Sequence, residues 1–134
     1  IGEVKALCPD IELWLEPGRY LVAQAGVLLA RVTQKKGKGE LQYIGVSTGM
    51  NSLIRPALYG AYHEIVNLSK LGKPATELTT VVGPICESAD QLGSDRLMPV
   101  ASEGDVILIA TTGAYGYSMS SLYNLRQPAT EFVI

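Results

Sequence analysis

Apolar residues in this chain fall in short runs broken at intervals by glycine and proline, the pattern of strands joined by turns. The first run, residues 11–15 with Trp14, stops at Pro17-Gly18. It predicts a buried strand that delivers Glu16 and Arg19 at its C-terminal end. Residues 20–25 are alanine-rich and predict one or two helical turns, and 27–33 resume as a strand of branched apolar residues. Lys35-Lys36-Gly37-Lys38 predicts a solvated turn, with 41–47 returning as the hairpin partner. Between 48 and 62 the pattern breaks around Gly49, Pro56 and Gly60, which predicts a loop with at most a short helix. Residues 63–68 and 77–82 read as strands, separated by a turn holding Gly72 and Pro74. The clearest strand is 105–111, whose unbroken apolar centre predicts burial on both faces. Residues 129–134 predict a closing strand. Taken together, the short strands predict a mainly β fold: a Greek-key-like β-barrel or sandwich with a few short helices.

Size and composition narrow the picture. A chain of 134 residues, 47% of them hydrophobic, buries one sizeable core, and no repeat or linker divides it, so residues 1–134 read as a single domain. Eleven basic against thirteen acidic residues, a net charge of −2, leave no electrostatic footprint for nucleic acid or an anionic membrane surface. No apolar run approaches the roughly twenty residues that span a bilayer. The two cysteines, Cys8 and Cys86, are too few for a disulfide framework at this size, which suggests a reducing, cytoplasmic setting and a free Cys86 thiol. The chain begins at Ile1 without an initiator Met and reads as a piece of something longer.

Candidate chemistry sits on the loops, where side chains are free to converge on a ligand. Glu16-Pro17-Gly18-Arg19, Arg55-Pro56-Ala57-Leu58-Tyr59, Cys86-Glu87-Ser88 and Gly113-Ala114-Tyr115-Gly116 together offer two Arg, two Glu, two Tyr and a Cys. That inventory suits a charged amino acid and a phosphate-bearing cofactor. Each motif also has a plain reading. Pro-Gly between charges is an ordinary surface turn, and a Cys is more often a buried small hydrophobe than a reactive group. Gly113-Ala114-Tyr115-Gly116 lacks the spacing and following helix of a dinucleotide fingerprint and doubles as a strand-terminating turn. His63 has no Cys, Asp or Glu at metal-ligand spacing, which predicts a structural role and no metal.

The order and wording of the motifs carry more than any one of them. Glu16-Pro17-Gly18-Arg19-Tyr20, the stretch Gly49-Met50-Asn51-Ser52-Leu53-Ile54-Arg55-Pro56-Ala57-Leu58-Tyr59, Cys86-Glu87-Ser88-Ala89-Asp90, Gly113-Ala114-Tyr115-Gly116 and Ser118-Met119-Ser120-Ser121-Leu122-Tyr123-Asn124 closely resemble the diaminopimelate decarboxylase family. The resemblance runs through nearly the whole chain. Departures are modest: Ala89 stands where Gly is usual, and Leu122 and Leu125 replace commoner polar residues. The resemblance implies a fold-type III pyridoxal-phosphate decarboxylase, which joins an N-terminal α/β barrel to a C-terminal β-barrel domain and works as a homodimer. This chain is similar to the C-terminal part, with 11–16 placed as the last strand of the missing barrel. Some relatives carry a fused aspartate kinase.

By the same resemblance, Glu16 faces the pyridine nitrogen, Tyr115 contacts the phosphate, and Gly18 is a further cofactor contact. Arg19, Arg55 and Tyr59 read the distal carboxylate of the substrate, although in related decarboxylases the residue matching Arg19 leans toward the phosphate. Glu87 reads the distal ammonium and Cys86 is the proton donor, both supplied by the neighbouring subunit. A zwitterionic far end needs an anion clamp and a cation acceptor together, and planar Arg forks suit a carboxylate. The second arginine therefore favours meso-diaminopimelate, decarboxylated to L-lysine, over an ornithine-type substrate. Two other readings stand beside this one: a non-catalytic dimerisation or regulatory β-domain, and a polyamine-pathway carboxylated-amine decarboxylase. No lysine here matches the family's cofactor-bearing motif. Treated with pyridoxal phosphate and borohydride, this chain should yield no stoichiometric adduct at one defined lysine; a peptide map showing one would overturn the reading.

Overall fold

The computed structural model describes residues 2–38 and 41–134. Among these, six strands form one sheet: β1 (Leu28–Lys38), β2 (Leu41–Val46), β3 (Ile65–Asn67), β4 (Glu77–Val82), β5 (Gln91–Met98) and β6 (Val106–Ile109), in the order β3-β6-β1-β2-β4-β5. All neighbours are antiparallel except β2 and β4, which run parallel from Gln42 beside Thr79 to Gly45 beside Val82. The sheet curls until its edges, β3 and β5, approach each other, giving a nearly closed barrel. Closure removes the exposed edges that an open sheet leaves as pairing hazards. Three short helices are peripheral: α1 (Gly2–Leu7), α2 (Gly18–Val22) and α3 (Arg55–Tyr59).

The barrel interior is filled by alternate residues of the strands, as a period of two requires. Ala30 and Val32 from β1, Ile44 and Val46 from β2, Val81 from β4, Leu92 and Met98 from β5, and Ile107 and Ile109 from β6 form the core with Ile65 and Leu53. Each large apolar side chain so buried stabilises the fold by about 1.5 to 3 kcal/mol relative to its exposed state. In β6 only Ile107 and Ile109 are fully buried, while Val106 and Leu108 are half-buried. The expected burial on both faces is thus corrected to one inner face and one partly covered outer face.

Several expected elements are present with changed bounds, and three differ in kind. The strand at 77–82 matches β4, the hairpin of β1 and β2 forms, and helical turns occupy 18–25. Lys35, Lys36, Gly37 and Lys38 do not form a turn. They extend β1, paired opposite Ile44, Tyr43, Gln42 and Leu41, because hydrogen bonding to β2 outweighs their weak strand preference. Lys35 Nζ also meets the Glu77 carboxylate at 2.8 Å, across the barrel surface from β1 to β4. Residues 11–15 and 129–134 are not strands. Among the described residues no strand lies beside either run, so the backbone has no ladder partner and the side chains face outward, with Trp14 87% exposed and Val133 95% exposed. Strand β5 carries no signal in the sequence: Gly93 and Asp95 interrupt it, and Asp95 takes a left-handed φ of 53°.

One buried carboxylate ties three strands together. Asp105 precedes β6; its Oδ2 accepts hydrogen bonds from Asn67 Nδ2 on β3 and from the Ser102 N–H, both at 2.9 Å. Its own carbonyl accepts the Val32 N–H of β1 at 2.8 Å, and Lys70 Nζ stands 3.8 Å from Oδ1. Burial pushes the Asp105 pKa up, but the Asn67 and Ser102 hydrogen bonds and the Lys70 charge outweigh it and hold the carboxyl below the usual carboxylate value. A folded-state pKa below the unfolded one stabilises the protein above the unfolded value, and that stabilisation is lost as pH falls through the folded value. Asp105→Asn should therefore cost about 1.5 to 3 kcal/mol at neutral pH. Below about pH 4, the range of an unperturbed carboxyl, its melting temperature should converge on that of the unsubstituted protein. A constant gap in melting temperature down the acid limb would refute this.

Candidate functional site

Helix α2 carries Arg19, and the loop after β6 carries Tyr115; two glycines let their backbones meet. A Cβ on Gly26 would lie 2.5 Å from Gly113 Cα, and one on Gly113 would collide with the Val22 carbonyl. The approach is sealed by the Thr112 N–H donating to the Gly26 carbonyl at 2.9 Å and the Gly113 N–H to the Ala23 carbonyl at 3.1 Å. This contact lays the Arg19 guanidinium over the Tyr115 ring, 5.4 Å from its centroid. Tyr115 itself holds φ at 61°, a left-handed conformation that costs a non-glycine residue about 1 to 2 kcal/mol. Strain of this kind gathers where a side chain must point one way for a purpose.

A second arginine reaches the same ring from α3. Pro56 starts that helix and Gly60, at φ 60° and ψ 27°, stops it, with the Gly60 N–H returning to the Pro56 carbonyl at 3.0 Å. Arg55 thereby sits 5.6 Å from the Tyr115 centroid and 5.6 Å from that of Tyr59. Tyr115 is flanked by two guanidinium groups, each attracted to the negative face of the ring. Among the described residues, neither lies within 4 Å of a carboxylate. Two unneutralised cations on one ring create a local positive potential that an anion relieves. Glu16, Arg19, Tyr20, Gln24 and Tyr115 line an open cleft of about 760 Å³ beside them. The cleft thus combines an anion site with a single carboxylate able to favour a cationic group.

The structure joins Arg19, Arg55, Tyr59 and Tyr115 by ring contacts beside the Glu16 cleft. The loop after Cys86 and Glu87 borders the helix that carries Arg55, with Ser88 and Ala89 sharing a groove with Pro56 and Ala57. Gly18 opens α2 with its N–H donated to the Glu16 carbonyl at 2.9 Å, so its amide is spent on the turn. Cys86 is an exposed free thiol, not a buried hydrophobe. Glu87 is exposed beside it on the loop from β4 to β5; its Oε1 accepts the Ala89 N–H at 3.3 Å and its Oε2 the Tyr123 hydroxyl at 3.5 Å. Neither residue lines the Glu16 cleft. His63 is buried with Nδ1 2.9 Å from the Ala110 carbonyl, a role in joining loop to strand.

Two supporting residues had no role assigned from sequence. Asn51 is buried, accepts the Gly49 N–H at 3.2 Å and donates from Nδ2 to the Gln127 carbonyl at 3.1 Å. It anchors the chain after Tyr123 against the loop that leads to Arg55. Asp90 is buried next to the Cys86 loop. Both lie inside motifs read from the sequence. For Asn51 the available signal was a polar residue close behind a glycine, since Gly49 stands two positions before it.

Residues 19–113 match the family described as the pyridoxal-dependent decarboxylase, C-terminal sheet domain. The chain is 45% identical over 133 residues to the diaminopimelate decarboxylase of Archaeoglobus fulgidus, covering 99% of this chain and 32% of that protein. It is 48% identical over 124 residues to the diaminopimelate decarboxylase of Neisseria meningitidis serogroup B, covering 92% and 30%. Among solved structures, diaminopimelate decarboxylase from M. jannaschii in complex with L-lysine superposes with a TM-score of 0.83 at 38% identity, covering 95% of this chain and 30% of that one. The chain therefore spans about a third of the length of the relatives it matches.

The close approach of Gly26 and Gly113 makes the site's geometry testable apart from any activity. Gly113→Ala sets a methyl group against backbone on both sides, where no flexible side chain can yield, and should lower stability by about 1 to 3 kcal/mol. Gly18→Ala, with nothing within 4 Å of the added Cβ, should not lower it. Equal melting temperatures for the two variants would sink the packing argument.

Proposed function

This chain belongs to the family of pyridoxal-dependent decarboxylase C-terminal sheet domains, and from that premise we propose that it is the C-terminal domain of a diaminopimelate decarboxylase. The observation that carries the reading is the Arg19–Tyr115–Arg55 stack beside the Glu16 cleft. A phosphorylated pyridine cofactor fits these residues: Glu16 suits a pyridinium, and Tyr115 with its arginines suits a phosphate or carboxylate. The rest of the enzyme is an N-terminal α/β barrel whose lysine holds the cofactor, with 11–16 as its last strand. The exposure of Trp14 and Leu15 supports a further surface packing on that run.

Pyridoxal phosphate, when bound, supplies the electron sink that takes up the electron pair left by the departing carboxylate. The work of this chain is binding, orientation and proton delivery. Glu16 would favour the protonated ring nitrogen by supplying a negative charge to it. The Tyr115 hydroxyl, on a left-handed backbone at the cleft wall, would donate to the phosphate. Arg19, Arg55 and Tyr59 hold the distal carboxylate of meso-diaminopimelate, with Arg19 near enough to Tyr115 to share the phosphate. Two planar forks suit a substrate whose far end carries a carboxylate as well as an ammonium. The complex of a relative with L-lysine supports lysine as product.

Cys86 and Glu87 complete the site of the neighbouring subunit in a homodimer. Their absence from the lining of the Glu16 cleft supports that reading, as does their exposure on a loop. Glu87 accepts the distal ammonium. Cys86 Sγ holds the proton that takes the place of the lost carboxylate, delivered from one face so that a single product enantiomer forms. The enzyme works in the cytoplasm, where its exposed thiols stay reduced.

Arg55→Lys in the full-length enzyme keeps the charge and loses the planar fork. The loss of one charge-assisted hydrogen bond, on the order of 1.5 to 3 kcal/mol, should lower kcat/KM for meso-diaminopimelate roughly ten- to a hundredfold. The poor turnover of a D-amino acid of similar length without the distal carboxylate should hardly change. Equal losses on both substrates would assign Arg55 to the cofactor or the fold, and the distal-carboxylate role would be withdrawn.

A further inference from the structure

Cys86 and Glu87 lie on an exposed connection between β4 and β5, where little packing holds either side chain. Beside the Glu87 N–H to the Ile85 carbonyl at 2.8 Å, the backbone beneath them is held through Asp90. Asp90 is 3% exposed, and its carboxylate accepts the Ile85 N–H on Oδ2 at 2.7 Å and the Met50 N–H on Oδ1 at 2.6 Å. Its own N–H donates to the Glu87 carbonyl at 3.0 Å, and its carbonyl accepts the Gly83 N–H at 2.9 Å. The segment that carries Cys86 and Glu87 is thus clamped at Ile85, at Glu87 and at Asp90.

Asp90 has a place because two neighbours lack a side chain. A Cβ on Gly49 or on Gly83 would run into its carboxylate oxygens. Among the described residues no Lys, Arg or His lies within 4 Å of the carboxylate, so backbone amides alone hold it. Short charge-assisted bonds from amides to a buried anion are strong and directional, which makes this a rigid clamp instead of a surface ion pair.

We propose that Asp90 is a positioning residue that holds the Cys86–Glu87 loop in the one arrangement from which both side chains reach the substrate. The proposal rests on the reading that these two residues act at the neighbouring subunit's site. It also carries a direction. Met50 begins the stretch that leads to Arg55, so Asp90 touches both halves of the chemistry, yet its Oδ2 bond and both of its main-chain bonds go to the loop side. Its effect falls on the site its loop enters, in the other subunit.

The test uses full-length enzyme and hybrid dimers. Asp90→Asn keeps the shape but turns an amide NH2 toward a backbone N–H, and kcat should fall ten- to a hundredfold. Mixed with a subunit whose cofactor-bearing lysine is replaced, the Asp90→Asn subunit should regain activity to the same extent as a Cys86→Ala subunit does. Each hybrid then has one site with an intact lysine and an intact loop. Loss of fold in Asp90→Asn would not give this pattern; if that variant fails to accumulate, Gly83→Ala displaces the same carboxylate and is read in the same hybrids. Full activity of the substituted homodimer overturns the proposal. Rescue of Cys86→Ala without rescue of Asp90→Asn overturns it too, placing the effect on the subunit's own site while leaving the shared-site reading intact. Failure of both, with heterodimers shown to form, removes the shared-site reading and the proposal with it.

Discussion

Backbone passes backbone where no Cβ fits at Gly26–Gly113 and at Gly49–Gly83, and the geometry of the candidate site depends on both. At Gly26 and Gly113 the strand entry and the loop after β6 touch, and at Gly49 and Gly83 two loops close around the Asp90 carboxylate. Neither contact is an attraction of large size. Each is a steric permission: the missing side chain allows main-chain amides to reach a carbonyl or a carboxylate at 2.6 to 3.1 Å. The distances are short enough that a single methyl group must displace structure.

The first contact concentrates positive charge. Arg19 and Arg55 approach the same ring from two helices of five residues each, elements too short to be stable alone. They are held by their ends, Pro56 and Gly60 on one and the Gly26–Gly113 contact on the other. The barrel core, in which Ile44, Val81, Ile107 and Ile109 are wholly buried, supplies the stability that the site does not. A strained Tyr115, unneutralised guanidinium groups and large exposed apolar side chains are costs that such a core can carry.

The second contact shapes the connection that carries Cys86 and Glu87. Residues that the sequence places in one inventory divide into two groups, one beside the Glu16 cleft and one on the Cys86 loop. In the homodimer proposed above, symmetric pairing would bring one group to the other, because a two-fold axis completes two sites at once.

Much of the architecture was legible in the residues. The β4 run, the β1–β2 hairpin, the short helix around Pro56 and the glycine-bounded Tyr115 loop each arise from local signals: branched apolar runs, turn residues and a Gly cap. The motif order also carried the family resemblance, since chemistry at loops depends on few residue types at fixed places. Other features were not local. Strand β5 has no apolar alternation, because a left-handed Asp95 and shifted register against β4 shape it. Conversely, the runs at 11–15 and 129–134 have strand composition but no neighbouring strand among the described residues, and a strand exists only with a partner to bond. The parallel pairing of β2 with β4, the meeting of two arginines on Tyr115, and the Met50 N–H bond to Asp90 all join residues more than thirty positions apart. Composition and turn chemistry therefore determined most element types and the set of reactive side chains, both of which act over a few residues. Which of those side chains share a cleft was decided by the closure of the barrel, because only the packed sheet brings distant backbone within hydrogen-bond reach.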